Sequence, residues 1–138
     1  MGTRSAIIVK VGNGYKGVYC HWDGYPSWNG KTLQENYNSL EKVLALVSMG
    51  SLSKLDSRLD PLEGTPHDFN NRQDGVTLAH HRDGGDALQI YTGKTIQEVE
   101  DGVSDFEYSY LFSNGIWKVR GHEMKGFHNL ANVLKKDK

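Results

Sequence analysis

The sequence predicts a single α+β domain over residues 1–138: a mainly antiparallel sheet built from two β-hairpins, 4–22 and 106–120, with helices packed mainly on one face. Three observations carry this expectation. Each hairpin has β-branched or aromatic runs on both sides of an Asn-Gly pair, which tolerates the positive φ of a tight hairpin turn. From Lys31 the apolar spacing changes from two residues to 3.6. The tail "FHNLANVLKKDK" is amphipathic at that same helical period.

Arg4 to Val11 is β-branched and strand-length, and "GNG" at 12–14 turns it, through Asn13-Gly14, into Tyr15 to Trp22. Alternation puts Tyr15, Gly17, Tyr19 and His21 on one face, with Lys16, Val18, Cys20 and Trp22 on the other. "DGYPSWNG" is a loop by its Asp-Gly, Pro and Asn-Gly content. A helical stripe follows over 31–49 through Leu33, Tyr37, Leu40, Val43, Leu44 and Val47. Asn38-Ser39 breaks it in two, with Ser39 capping the second helix. Gly50 is placed to end that helix, and Ser51 to cap one further turn. Residues 56–75 hold two prolines and few apolar groups, and are expected to form a long exposed loop.

Val76 to His81 is expected as a short strand, followed by the turn "RDGGD", and Ala87 to Tyr91 as another. Thr95 would cap a helix over 95–101, with Glu98 completing a capping box. Phe106, Tyr108, Tyr110 and Phe112 share one face of the next strand, which "SNG" turns through Asn114-Gly115 into Ile116 to Arg120. A helix over 127–136 buries Phe127, Leu130, Ala131 and Leu134.

Composition narrows the function. With 16 Lys and Arg against 17 Asp and Glu, the net charge is −1, which argues against duplex nucleic acid as the main partner. No apolar run reaches the ~20 residues of a spanning helix. The start "MGTRSAIIVK" has no signal-peptide pattern, and a lipid on Gly2 is discounted because a strand follows at once. The single Cys20 fits a reducing cytoplasm.

The stretch "GVYCHWDGYPSWNG", residues 17–30, concentrates the candidate chemistry. Adjacent strand residues point to opposite faces, so Cys20 and His21 are poor partners for a nucleophile pair, and Cys20 reads as a small buried hydrophobe. Trp22 is expected to pack in the core. Tyr25 and Trp28, in a Gly-Tyr-Pro-Ser-Trp loop, are candidate stacking rings. Hairpin register brings Arg4 close to His21 and Asp23, and Lys31 opens the first helix. Those residues, joined by Arg82 from "HHRDGGD", suit a ligand carrying both a base and a phosphate. His67, Asp68, His80, His81, Asp83 and Asp86 lack the spacing of a metal site, and "GNGYKG" lacks that of a phosphate loop. No metal or cofactor is expected.

"TRSAI" at the start, "YCHWDGYP" at 19–26 followed by "G..L...Y" at 30–37, and "YLFSNGIWKV" at 110–119 resemble a family of small, largely uncharacterised proteins encoded by bacteriophages and prophages. The resemblance runs over residues 1–55 and the second hairpin, leaving 56–105 uncovered. It implies a phage protein in the bacterial cytoplasm, a context in which small proteins without enzyme motifs often inhibit host defence. Some inhibitors of other families sequester nucleotide signals between subunits. The expectation is therefore a homodimer or larger homo-oligomer that captures a nucleotide-derived anion such as a cyclic nucleotide. Tyr25 and Trp28 would stack on it, and Arg4, Lys31 and Arg82 would hold its phosphates. The alternatives are a small hydrolase of the same ligand, with His21 or His81 as base and Asp23 orienting it, and a decoy that binds a host protein through the aromatic surface.

Overall fold

The computed structural model describes residues 3–64, 66–121 and 124–136, so Gly2 lies outside it. In chain order the elements are β1 (Ser5–Val11), β2 (Gly14–Cys20), a π-helical turn (Pro26–Gly30) running into α1 (Lys31–Asn36), α2 (Leu40–Val47), β3 (Leu52–Lys54), β4 (Leu78–Ala79), α3 (His80–Gly84), β5 (Tyr91–Gly93), α4 (Ile96–Val103), β6 (Tyr108–Ser113), β7 (Ile116–Gly121), β8 (His128–Asn129) and α5 (Leu130–Lys136).

Both hairpins form, and the chain is α+β with a mainly antiparallel sheet. The second turns on Asn114 and Gly115, both at positive φ (54° and 76°), as the sequence predicts. The first is shifted by one residue. Val11 pairs with Gly14, so the two-residue loop is Gly12-Asn13 with the positive φ, 57°, at Gly12. "GNG" offers glycine on both sides of the asparagine, and the strand register decides between them.

The strands run in the order β4-β3-β2-β1-β6-β7-β8, with β5 also paired to β2. Two pairings are parallel, β1 with β6 and β2 with β3. The hairpins thus meet through their first strands, and β1 lies at the centre. Being covered on both faces, its Ser5 to Val9 are continuously buried rather than alternating.

On one face Ile7, Val9, Val18, Cys20, Tyr110, Phe112 and Val119 pack with Leu33 of α1, Val43, Leu46 and Val47 of α2, and Leu130 of α5. The other face is smaller: Ala6, Ile8 and Leu111 meet Val99 and Val103 of α4. Ser39 caps α2 by accepting from the Lys42 amide, Thr95 caps α4 by accepting from Glu98, and Gly50 takes positive φ after α2.

Several local expectations change. Leu40 is exposed, and Leu46 takes the buried place in the α2 stripe. Ser51 leads into β3 instead of capping a turn. The strand expected over 76–81 is reduced to Leu78–Ala79, and His80 opens α3, where the Asp83 carboxylate accepts from the Ala79 amide (2.8 Å). The next strand falls at Tyr91–Gly93, later than 87–91. Phe106 and Phe127 precede their elements and pack on the α4 face, with the Arg120 guanidinium 4.7 Å from the Phe127 ring centre.

Candidate functional site

The stretch after β2 divides into residues that anchor and residues that are displayed. Gly24 passes so close to the chain start that a Cβ there would lie 2.8 Å from the Thr3 carbonyl oxygen and 2.9 Å from that of Arg4. Its amide donates to Thr3 O (2.8 Å), and its carbonyl accepts from the Tyr110 hydroxyl (2.6 Å). Asp23 stands at φ 61°, and its carbonyl accepts from the Asn29 amide (2.9 Å). The Asn29 side chain is buried and donates to Trp22 O (2.9 Å) and toward Ser5 Oγ (3.4 Å). Pro26 is buried and starts the π-turn, where its missing N–H costs nothing. Cys20 lies beneath, and burial pushes its thiol up to about 12, so it is no nucleophile at neutral pH.

Against this fixed backbone the large rings face outward: Trp22 is 42%, Tyr25 49% and Trp28 63% exposed. Trp22 is the correction, since it was expected in the core. The reversal at Asp23-Gly24 carries the chain back over Thr3 and leaves the indole outside, edge-on to the His21 ring at 4.8 Å. Tyr25 rests on Tyr108, 5.9 Å between ring centres. Trp28 and Lys31 line an open groove of about 610 Å³ with Ser27, Thr32, Asn36 and Ser57, and Glu35 adds a carboxylate to its wall.

The structure does not gather the expected site residues in one place. Arg4 does lie across from His21, since Ser5 pairs with Cys20. Its guanidinium, however, is tied to Asp105 (2.5 Å) and Glu107 (3.3 Å), while its amide donates to Glu107 (2.6 Å). The groove beside Trp28 does not include Arg4 in its lining.

Arg82 is more fully engaged. It donates to Leu59 O and Thr77 O (both 2.7 Å) and forks onto Asp83 (2.9 and 3.1 Å). Of the three expected phosphate-holding cations, Lys31 alone has no ion pair among the described residues.

His21 Nδ1 lies 2.7 Å from the Tyr19 hydroxyl, a hydrogen bond that orients the imidazole, and burial raises the pKa of that phenol. Asp23 serves through its backbone, so a His21–Asp23 pair is not what orients the imidazole. His81 Nδ1 is held by Asp86 O (2.7 Å). Among the described residues no group of three or more His, Cys, Asp or Glu side chains is placed to hold a metal ion. No helix among them is long and apolar enough to cross a membrane.

Sequence reasoning missed the anchoring role of Asn29, although an asparagine between two aromatic-rich turns is a signal for side-chain capping of a loop. It also missed a second cleft beside Tyr19. No protein-family model, curated protein or solved structure matches the chain.

Proposed function

We propose that this chain is a phage-type small-ligand-binding protein of the bacterial cytoplasm. It captures a nucleotide-derived anion, such as a cyclic nucleotide signal of host defence, on the groove of Trp28 and Lys31. The observation that carries the reading is the locked display of rings after β2. Three large aromatic residues within seven positions stay exposed while the backbone beneath them is held by Asn29, Gly24 and Tyr110.

Exposed rings on a prepaid backbone lose little entropy on binding, and a stacked base is worth about 1–3 kcal/mol. Lys31 supplies the charge beside Trp28, and the hydroxyls of Ser27, Thr32 and Ser57 supply donors. Arg4 and Arg82 act as struts in this reading, not as phosphate contacts. Because the groove is open on one side, a second copy of the chain would complete it, so the proposal includes a homodimer or larger closed assembly.

The test is incubation with cyclic di- and trinucleotides and cyclic ADP-ribose isomers, then heat release and chromatography. Depletion reversed by heating, with about tenfold weaker capture by Trp28→Ala, supports sequestration. Product peaks lost in His21→Ala would make it a hydrolase. No depletion at all leaves the exposed rings to a host protein. A strict 15.5 kDa monomer by light scattering overturns the assembly.

A further inference from the structure

The outer edge of β2 is shared by two strands that do not meet. β5 pairs with it over Tyr15 to Gly17, and β3 only at Cys20. Between them, at Val18 and Tyr19, the edge opens into a cleft of about 470 Å³ that lies outside the Trp28 groove. It is lined by Tyr19, Ser51, His80, Asp86, Tyr91 and Asp105, among others.

The charged side chains lining it are the carboxylates of Asp86 and Asp105, with the His80 imidazole beside them. Asp86 is 69% exposed along its side chain, and its sole ion-pair partner among the described residues is the His80 imidazole, 3.7 Å away. Asp105 is on the wall and is paired with Arg4 (2.5 Å), and no lysine or arginine is among the lining residues. Arg4 is already paired with Asp105, so Asp86 is the carboxylate left to meet a cation, and it would repel a phosphate. The remaining lining suits a cation with a short carbon body: tyrosine rings attract positive charge at their faces, and Val103 and Ala87 are apolar. The Ser51 hydroxyl is buried in this wall with no hydrogen-bond partner among the described residues.

We propose that this cleft binds a small organic cation, an amine or amidinium on a short carbon body, with Asp86 as its counter-ion. It is a site separate from the groove of the proposed function. The experiment is an amide-resolved NMR titration with benzamidine and agmatine, with neutral benzamide and anionic AMP as comparators. Both cations should shift the amides of residues 86–91 and 103–105 and saturate, and benzamide should not at matched concentration. Asp86→Asn should weaken the cations at least tenfold. Its fold is expected to persist, because the local contacts of Asp86 run through its backbone, N–H to His80 O (3.1 Å) and O to His81 Nδ1. Trp28→Ala should leave cation affinity unchanged, which separates this site from the groove. Equal binding of benzamide, shifts clustered elsewhere, AMP at these residues, or full affinity in a folded Asp86→Asn would each overturn it.

Discussion

Two loops of this protein solve the same problem in opposite ways. The segment 21–30 is dense in aromatic residues and holds itself with backbone carbonyls, one buried asparagine and one glycine, turning its rings out. The segment 56–75 is dense in polar residues and is held by a buried imidazole, while its charged side chains at Arg58, Asp60, Glu63, Arg72 and Asp74 stay exposed. Its His67 ring is buried (1% exposed) against the Asp83 carboxylate (3%), with Nδ1 accepting from the Gln73 amide and Nε2 donating to Thr77 O. Arg82 of α3 completes that knot through Leu59 and Thr77. Polar contacts to α3 tie one loop, while exposed rings mark the other. Arg4 and Arg82 are held in ion pairs, and Trp22, expected in the core, is exposed.

The largest effect should come from the charged loop. Arg82→Met removes the fork that neutralises Asp83 and leaves Leu59 O without its donor, while Thr77 O keeps the bond from His67 Nε2. Breaking a buried pair from one side typically costs about 3–5 kcal/mol. Urea unfolding should show a loss of that order, and hydrogen exchange should rise first in residues 56–77. Ligand capture by the folded fraction should be unchanged. A stable Arg82 variant that has lost capture would return this arginine to the binding site.

Next is the hinge of the aromatic loop. In Gly24→Ala the new methyl would stand within 3 Å of two backbone oxygens, so the chain must move, not a flexible side chain. Overpacking of this kind costs roughly 1–3 kcal/mol. Because Gly24 also sets where Tyr25 and Trp28 sit, capture should fall with stability. Unchanged melting together with unchanged capture would show that the display is not locked.

Cys20, in the anchor beneath that loop, gives a pH-dependent effect. Its thiol is raised from 9.0 to about 12 by burial, so its protonated form is favoured in the fold. That contribution is fully present below about pH 9, where both states hold the proton. It declines as pH rises toward 12, because the unfolded thiol ionises first. Stability should drop by about 1 kcal/mol between pH 9 and 10 from this group, and a Cys20→Ala background should lose that part of the slope. Native-state alkylation at pH 8 should track unfolding events only.

What was legible in the sequence follows from range. The hairpins announce themselves because Asn-Gly and its flanking runs are local, and the caps at Ser39 and Thr95 need only three residues each. The turn slipped by one residue because "GNG" holds two solutions that differ only through pairing with a distant strand. α3 was invisible because "HHRDG" has no apolar stripe; its helix rests on Asp83 reaching back to Ala79 and on contacts to residues 59, 67 and 77. The exposure of Tyr25 and Trp28 could be read from loop composition, but the partners of Arg4 lie a hundred residues away at Asp105 and Glu107. Hence the exposure of these two rings was legible, while the ion pairs that hold Arg4 and Arg82 were not.

The smallest effect expected is also the sharpest test of display against anchor. Trp28→Ala removes the largest side chain of the loop, and in a core that change would cost about 3–5 kcal/mol. At 63% exposure, with the adjacent backbone held by Asn29 rather than by the indole, the loss should stay within about 0.5 kcal/mol. Trp22→Ala, at 42% exposure and with its ring against His21, should fall between the two. Thermal melts of the two variants beside Asn29→Ala should rank Asn29 as most costly, then Trp22, then Trp28. If Trp28→Ala proves as damaging as Asn29→Ala, its indole is part of the fold, and the groove loses the stacking surface on which nucleotide capture depends.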